Sequence, residues 1–200
     1  MRNYDAATLA YLNDSAGLVS VRLVWIKAKN QFGEIETLGV CSAEDDLAVQ
    51  IGGEARTYLG AGPLLQSEPM TADSGLQVRI YRLQLSAIAP AVEDLVKGYQ
   101  TRFAPVEIHR LFLDPETRLP VGEPHRVFRG MIDGIDFPRA EPGGTPAVAL
   151  QLVSETRVLT RTLPLKKSND SHQRRGSADL FRQYGDISGS VPVFWGELRA

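Results

Sequence analysis

The run Leu18-Val19-Ser20-Val21-Arg22-Leu23-Val24-Trp25-Ile26-Lys27-Ala28-Lys29 sets the class of this protein. Val19, Val21, Val24, Trp25 and Ile26 are β-branched or aromatic, and such side chains pack well on a pleated surface. The run reads as one long strand. Asn30-Gln31-Phe32-Gly33 is a turn, and Glu34 to Cys41 is the returning strand of a hairpin. Downstream, Leu47 to Ile51 and Ala55 to Leu59 flank Gly52-Gly53. Two glycines allow the positive backbone angles of a tight hairpin turn, so a second hairpin is expected there. Upstream, Asp5 can cap a short helix that carries Leu9 and Leu12 on one face.

The strand pattern continues through the middle of the chain. Leu64 to Met70 is apolar and extended. From Leu76 to Leu85, apolar Leu76, Val78, Ile80, Leu83 and Leu85 are interleaved with polar residues, and Tyr81 shifts the alternation by one, which marks a bulge. Pro90 can open a helix that ends near Gly98. Pro105 to Leu113 is a strand. Asp114-Pro115-Glu116-Thr117 is a turn. Arg126 to Phe137 is a strand that Gly130 and Gly134 bend or open to close approach. Ala147 to Ser154 alternates, and Val158 to Leu163 extends it. About ten short strands with turn signals every 8–12 residues predict a mainly β protein with a few short helices: a β-sandwich or a partly closed β-barrel.

The last residues read differently. Residues 1–165 form the β-rich body, with the short helix near 90–98, and residues 166–200 form a C-terminal arm. Lys166 to Gly176 is a polar tract with Lys166, Lys167, Arg174 and Arg175. Ser177 to Tyr184 reads as an amphipathic helix, with Phe181 and Tyr184 on one face. Val191 to Gly196 is a terminal aromatic strand. The Phe181–Tyr184 face packs either on the chain's own core or on a neighbour.

Composition narrows the chemistry. Apolar residues make up 43% of the chain, enough for a packed core. The net charge of −2 carries no nucleic-acid footprint, and the basic tract lacks interleaved aromatics. No apolar run approaches the roughly 20 residues of a membrane span. Residues 1–5 lack the apolar region of a signal peptide. Cys41 is the single cysteine, so neither an internal disulfide nor a cysteine cluster forms, and synthesis in a reducing cytoplasm is expected. His109, His125 and His172 share no ligand spacing, and no metal or other cofactor is expected. Glu107 and His109 share one strand face and read as a surface ion pair. Asp45 with Asp46, and Asp133 with Asp136, are the paired carboxylates a hydrolase would need. The first two point to opposite faces if extended, and the second two bracket Gly134, as a turn or a bulge needs. No Ser-His arrangement accompanies Ser154 or Ser177. The chain reads as a non-enzyme.

Three blocks carry a resemblance. They are Ala55-Arg56-Thr57-Tyr58-Leu59-Gly60-Ala61-Gly62; the order Val78-Arg79-Ile80, Val106-Glu107-Ile108-His109-Arg110, Phe128-Arg129-Gly130-Met131-Ile132-Asp133; and Ser171-His172-Gln173-Arg174-Arg175 to Asp179-Leu180-Phe181, then Val193-Phe194-Trp195-Gly196. In this order the chain resembles the hub and distal tail (baseplate) proteins of long-tailed bacteriophages and the hub protein of gene transfer agents. The resemblance implies a structural virion protein of the tail tip, assembled in the host cytoplasm. It implies a ring that joins the end of the tail tube to central spike or fibre proteins. Hubs of this kind are trimers and distal tail proteins hexamers; a trimer is expected here. Several hub relatives hold an iron–sulfur cluster through C-terminal cysteines, which this chain lacks. The residues expected at the contact between subunits are Arg174, Arg175, Phe181, Tyr184 and Trp195. Arginine suits bidentate pairing with carboxylates, and aromatics are typical interface anchors. A hexameric distal tail ring and a β-sandwich carbohydrate-binding module for host recognition are the competing readings.

Overall fold

The computed structural model describes residues 4–14, 17–62, 65–71, 77–86, 98–137, 147–162, 167–185 and 187–190. The helix expected near 90–98, apart from Gly98, and the terminal strand with Trp195 lie outside them. The chain divides into two units, Met1–Leu159 and Thr160–Ala200, close to the boundary read from the sequence.

The first unit is mainly β. Helix α1 (Ala6–Asn13) precedes ten strands: β1 (Val19–Asn30), β2 (Ile35–Cys41), β3 (Leu47–Ile51), β4 (Glu54–Gly60), β5 (Leu65–Ser67), β6 (Ile80–Ser86), β7 (Tyr99–Gln100), β8 (Pro105–Leu113), β9 (Pro120–Asp136) and β10 (Ala147–Ser154). They form one hydrogen-bonded sheet in the order β3-β4-β2-β1-β8-β9-β10-β6-β5, with β7 joined to β1. The sheet is not closed into a barrel. Neighbours are antiparallel except β2 and β4, which meet in parallel over two rungs, Val40 to Leu59 and Cys41 to Gly60.

Strand β1 lies inside the sheet, between β2 and β8. Its alternate residues Val24, Ile26 and Ala28 enter a core with Val106 and Ile108 of β8, Leu83 and Leu85 of β6, and Leu150 and Leu152 of β10. Val21, Leu23 and Trp25, on the opposite face, enter a second core with Cys41, Tyr58, Leu111 and Leu113. A strand covered on both faces reads as a nearly continuous apolar run, which is what residues 18–29 show. Each fully buried leucine contributes roughly 1.5–3 kcal/mol. The second core is roofed by the β3–β4 hairpin, whose Leu47, Val49 and Ile51 pack on it. Gly52 and Gly53 both have positive φ, 59° and 83°, as a tight hairpin turn requires.

Helix α1 is capped by the Asp5 side chain, which accepts from Thr8 N. Its Tyr11 hydroxyl donates to Leu113 O at 2.9 Å and accepts from Val19 N at 3.0 Å, pinning the helix to the ends of β8 and β1. Leu9 stays exposed, so the expected apolar face is only partly used.

Three details differ from the sequence expectation. Tyr81 makes no bulge: β6 pairs with β10 in unbroken register, and Tyr81, Leu83 and Leu85 are buried while Ile80 is exposed. The alternation is regular once Ile80 is placed outside the core. A bulge lies on β9 instead, where Gln151 faces Gly134 and Leu152 faces Ile132, leaving Asp133 as the extra residue. Residues 158–162 do not extend β10: a 3-10 helix, Glu155–Thr160, follows it directly, and Leu163 lies outside the described residues.

Candidate functional site

The C-terminal unit holds the described residues expected at a subunit contact. Its helix α2 spans Asn169–Arg175, earlier than the helix read over 177–184. The cause is capping. Ser168 accepts from Ser171 N through its side chain, and Arg174 and Arg175 fall in the last turn, where cations complement the carbonyl end of the helix. Residues 177–178 and 181–185 form turns. A brace holds them to α2: His172 Nδ1 lies 3.0 Å from Asp179 Oδ2, and Asp179 Oδ1 accepts from Phe181 N at 3.1 Å. Both hydrogen bonds, His172 first, hold the Asp179 carboxyl below its usual pKa. Arg182 Nη1 donates to Lys167 O at 3.1 Å.

This scaffold leaves apolar side chains in solvent. Phe181 is 85% exposed, and Leu180, Tyr184 and Ile187 are also exposed. Arg174 and Arg175 are exposed on α2. The structure therefore brings Arg174, Arg175, Phe181 and Tyr184 onto one small unit, while Trp195 lies outside the described residues. Leu180 and Ile187 join them; their signal was the apolar spacing around Phe181 and Tyr184.

The body holds a second polar constellation, beneath the β3–β4 hairpin. Arg56 of β4 is buried, and its guanidinium reaches Glu107 of β8 at 2.8 Å and Glu54 at 2.9 Å. It lies 5.1 Å from the centre of the Trp25 ring, within cation–π range. Trp25 is cross-strand partner to Glu107 and packs 5.4 Å from the Tyr58 ring. Burial alone would lower the Arg56 pKa, but its carboxylate partners outweigh that and raise it. For Glu107, burial works upward and Arg56 more strongly downward, so its pKa is lowered.

Glu107 and His109 were expected to form a surface ion pair. Instead Glu107 pairs with Arg56, and His109 is only 3% exposed. Burial pushes the His109 pKa down to about 4. His109 Nδ1 and Trp25 Nε1 are buried without a hydrogen-bond partner among the described residues. The arrangement fastens the hairpin to the sheet: the carboxylates are engaged, and the imidazole is sealed from solvent.

The paired carboxylates serve structure. Asp46 Oδ1 accepts from Gly60 N at 2.8 Å. Asp133 is ion-paired with Arg157, and Asp136 accepts from Gln151 at 2.7 Å. Among the described residues, no group of three His, Cys, Asp or Glu side chains converges on a possible metal position. No helix among them is long and apolar enough to cross a membrane.

No protein-family model matches the chain, and no curated protein matches it.

Proposed function

We propose that this protein is a structural component of a phage tail tip or baseplate: a hub ring that joins the end of the tail tube to central spike or fibre proteins. The observation that carries this reading is the C-terminal unit, where Leu180, Phe181, Tyr184 and Ile187 stand in solvent and α2 carries exposed Arg174 and Arg175. Exposed aromatics beside arginines are the composition of a protein contact, and ring subunits need surfaces that neighbours cover. The reading also draws on the resemblance of residues 55–62, 78–133 and 171–196 to hub and distal tail proteins. The virion tail tip is the proposed location, and the role is architectural.

A carbohydrate-binding module would present aromatics on an open sheet face. Trp25 is 6% exposed and packed against Arg56 and Tyr58, which removes one of the two tryptophans from that role.

Electron microscopy of the purified protein, with and without Phe181→Ala and Trp195→Ala together, tests the proposal. Rings in the wild type and a folded, ring-free double variant are expected. Intact rings in the double variant would refute the assigned contact, and sixfold rings would move the protein to the distal tail position.

A further inference from the structure

Strand β1 has a hollow at one end and a knob at the other. Its first residue, Val19, lines a cleft of about 380 Å³ together with Val21, Leu47 and Leu113. Val21 and Leu113 belong to the second core, and Val19 and Leu47 pack against it, so the apolar lining is preformed. Glu44 and Asp45, from the β2–β3 connection, and Arg118, from the β8–β9 turn, line the same cleft. All three are exposed, and their side chains make no hydrogen bond or ion pair among the described residues.

The knob is the turn from β1 to β2. Its Phe32 is 79% exposed. Asn30 braces the turn: its Oδ1 accepts from Phe32 N at 2.9 Å and from Glu34 N at 3.0 Å, and its O accepts from Gly33 N at 3.0 Å. Such bracing lowers the ordering cost of docking. Lys29 and Ile35 are cross-strand partners next to the turn, and both are exposed. Lys29 makes no ion pair among the described residues. The exposed Glu34 carboxylate accepts from Asn30 Nδ2 at 3.3 Å, which holds it at the turn.

Knob and cleft match in size and in charge. A space of about 150 Å³ holds a benzene ring, so the cleft takes the Phe32 ring with room for its flanks. The knob carries one cation and one anion, and the cleft carries the opposite signs on either side of its apolar lining. The two features sit at the two ends of the 12-residue strand β1, up to about 36 Å apart at roughly 3.3 Å per residue. A knob therefore cannot reach its own cleft. We infer that the β1–β2 turn of one copy of this chain docks in the cleft of a second copy, with Phe32 on the apolar lining, Lys29 against Glu44 and Asp45, and Glu34 against Arg118. The contact is head-to-tail, the kind that closes into a ring when the rotation between copies allows. It rests on the reading of the protein as a ring subunit and adds a contact in the first unit to the one in the C-terminal unit.

The test uses two full-length variants, each lacking one half of the contact. Phe32→Asp keeps the cleft and is isotope-labelled. Glu44→Lys with Asp45→Lys keeps the knob and is added unlabelled up to millimolar concentration, with amide chemical shifts as the readout. Saturable shifts at residues 19–21, 42–47 and 113–118 of the labelled protein are expected. Adding Phe32→Asp to the unlabelled protein should weaken the interaction at least about tenfold. These side chains are exposed, so melting temperatures should stay nearly constant. Absence of cleft shifts would overturn the inference, and so would equal shifts with the knobless partner. Shifts at residues 174–187 alone would leave the ring reading in place and overturn this contact. Cleft shifts alone would support this contact and remove the C-terminal one.

Discussion

Arg56 and Glu107, 51 positions apart in the chain, meet at 2.8 Å and join the β3–β4 hairpin to β8. The Arg56 side chain is nearly inaccessible and that of Glu107 about three-quarters covered, so solvent screens the pair only weakly. Breaking a buried pair from one side costs about 3–5 kcal/mol because the other charge is left unpaired. Partial exposure of Glu107 and the second partner Glu54 reduce this, so Glu107→Leu should cost about 2–3 kcal/mol. Arg56→Met with Glu107→Leu should cost less than the two single changes added. Urea unfolding of the four proteins measures the coupling, and strict additivity would show that the pair does not fasten the hairpin.

Acid should loosen the same region. The His109 imidazole titrates near 6.5 when unfolded and at about 4 when folded. Between these values the unfolded chain holds a proton that the folded chain lacks. Stability therefore falls as pH drops from about 6.5 to about 4, by up to about 3 kcal/mol from this residue, and His109 adds no further loss below that. Glu107, whose folded pKa is lowered, adds its own loss at lower pH as it is protonated. His109→Gln should flatten the stability profile between pH 4 and 6.5. Denaturant midpoints measured across that range check this, and an unchanged slope would show that His109 titrates normally in the folded state.

Gly130 of β9 is the cross-strand partner of Ser154 on β10. A Cβ there would lie 2.1 Å from Val153 O and 2.6 Å from the Phe128 ring, and the carbonyl cannot yield without breaking the ladder. Gly130→Ala should destabilise the body by about 2 kcal/mol or more, the scale of overpacking in a closed core. At Gly134 the nearest atom is 3.7 Å away, on the Gln151 side chain, so Gly134→Ala should be nearly neutral. Thermal melts of the two variants side by side test this, and equal shifts would contradict it.

In the C-terminal unit, stability and assembly should separate. Phe181 and Tyr184 are exposed, so alanine at both should change the melting temperature little. If they anchor a contact between subunits, the same change should weaken association of the oligomer by about 2 kcal/mol or more. Sedimentation velocity over a dilution series reads this out. An unchanged association profile would remove Phe181 and Tyr184 from the contact.

Local sequence made much of the sheet legible. Residues 18–29 announced a long strand, and Gly52-Gly53 announced a hairpin, because each signal is carried by the residues that form the element. Tyr81 was misjudged because Ile80, an apolar residue at an exposed position, looked like part of the buried set. The helix at 169–175 was hidden by its composition: none of its residues is buried, so its start is signalled by the Ser168 cap and not by an apolar stripe. The Arg56–Glu107–His109 group could not be read locally. Its partners come from β4 and β8, and the hairpin's placement over β1 decides which polar side chains it covers.

The central claim is assembly through the C-terminal unit, and native mass spectrometry of the purified full chain across a concentration series tests it most directly. The account predicts a discrete closed oligomer, a trimer for the hub, that is lost in Phe181→Ala with Tyr184→Ala. A wild-type protein that stays monomeric at every concentration, with a spectrum indistinguishable from that of the variant, would contradict it.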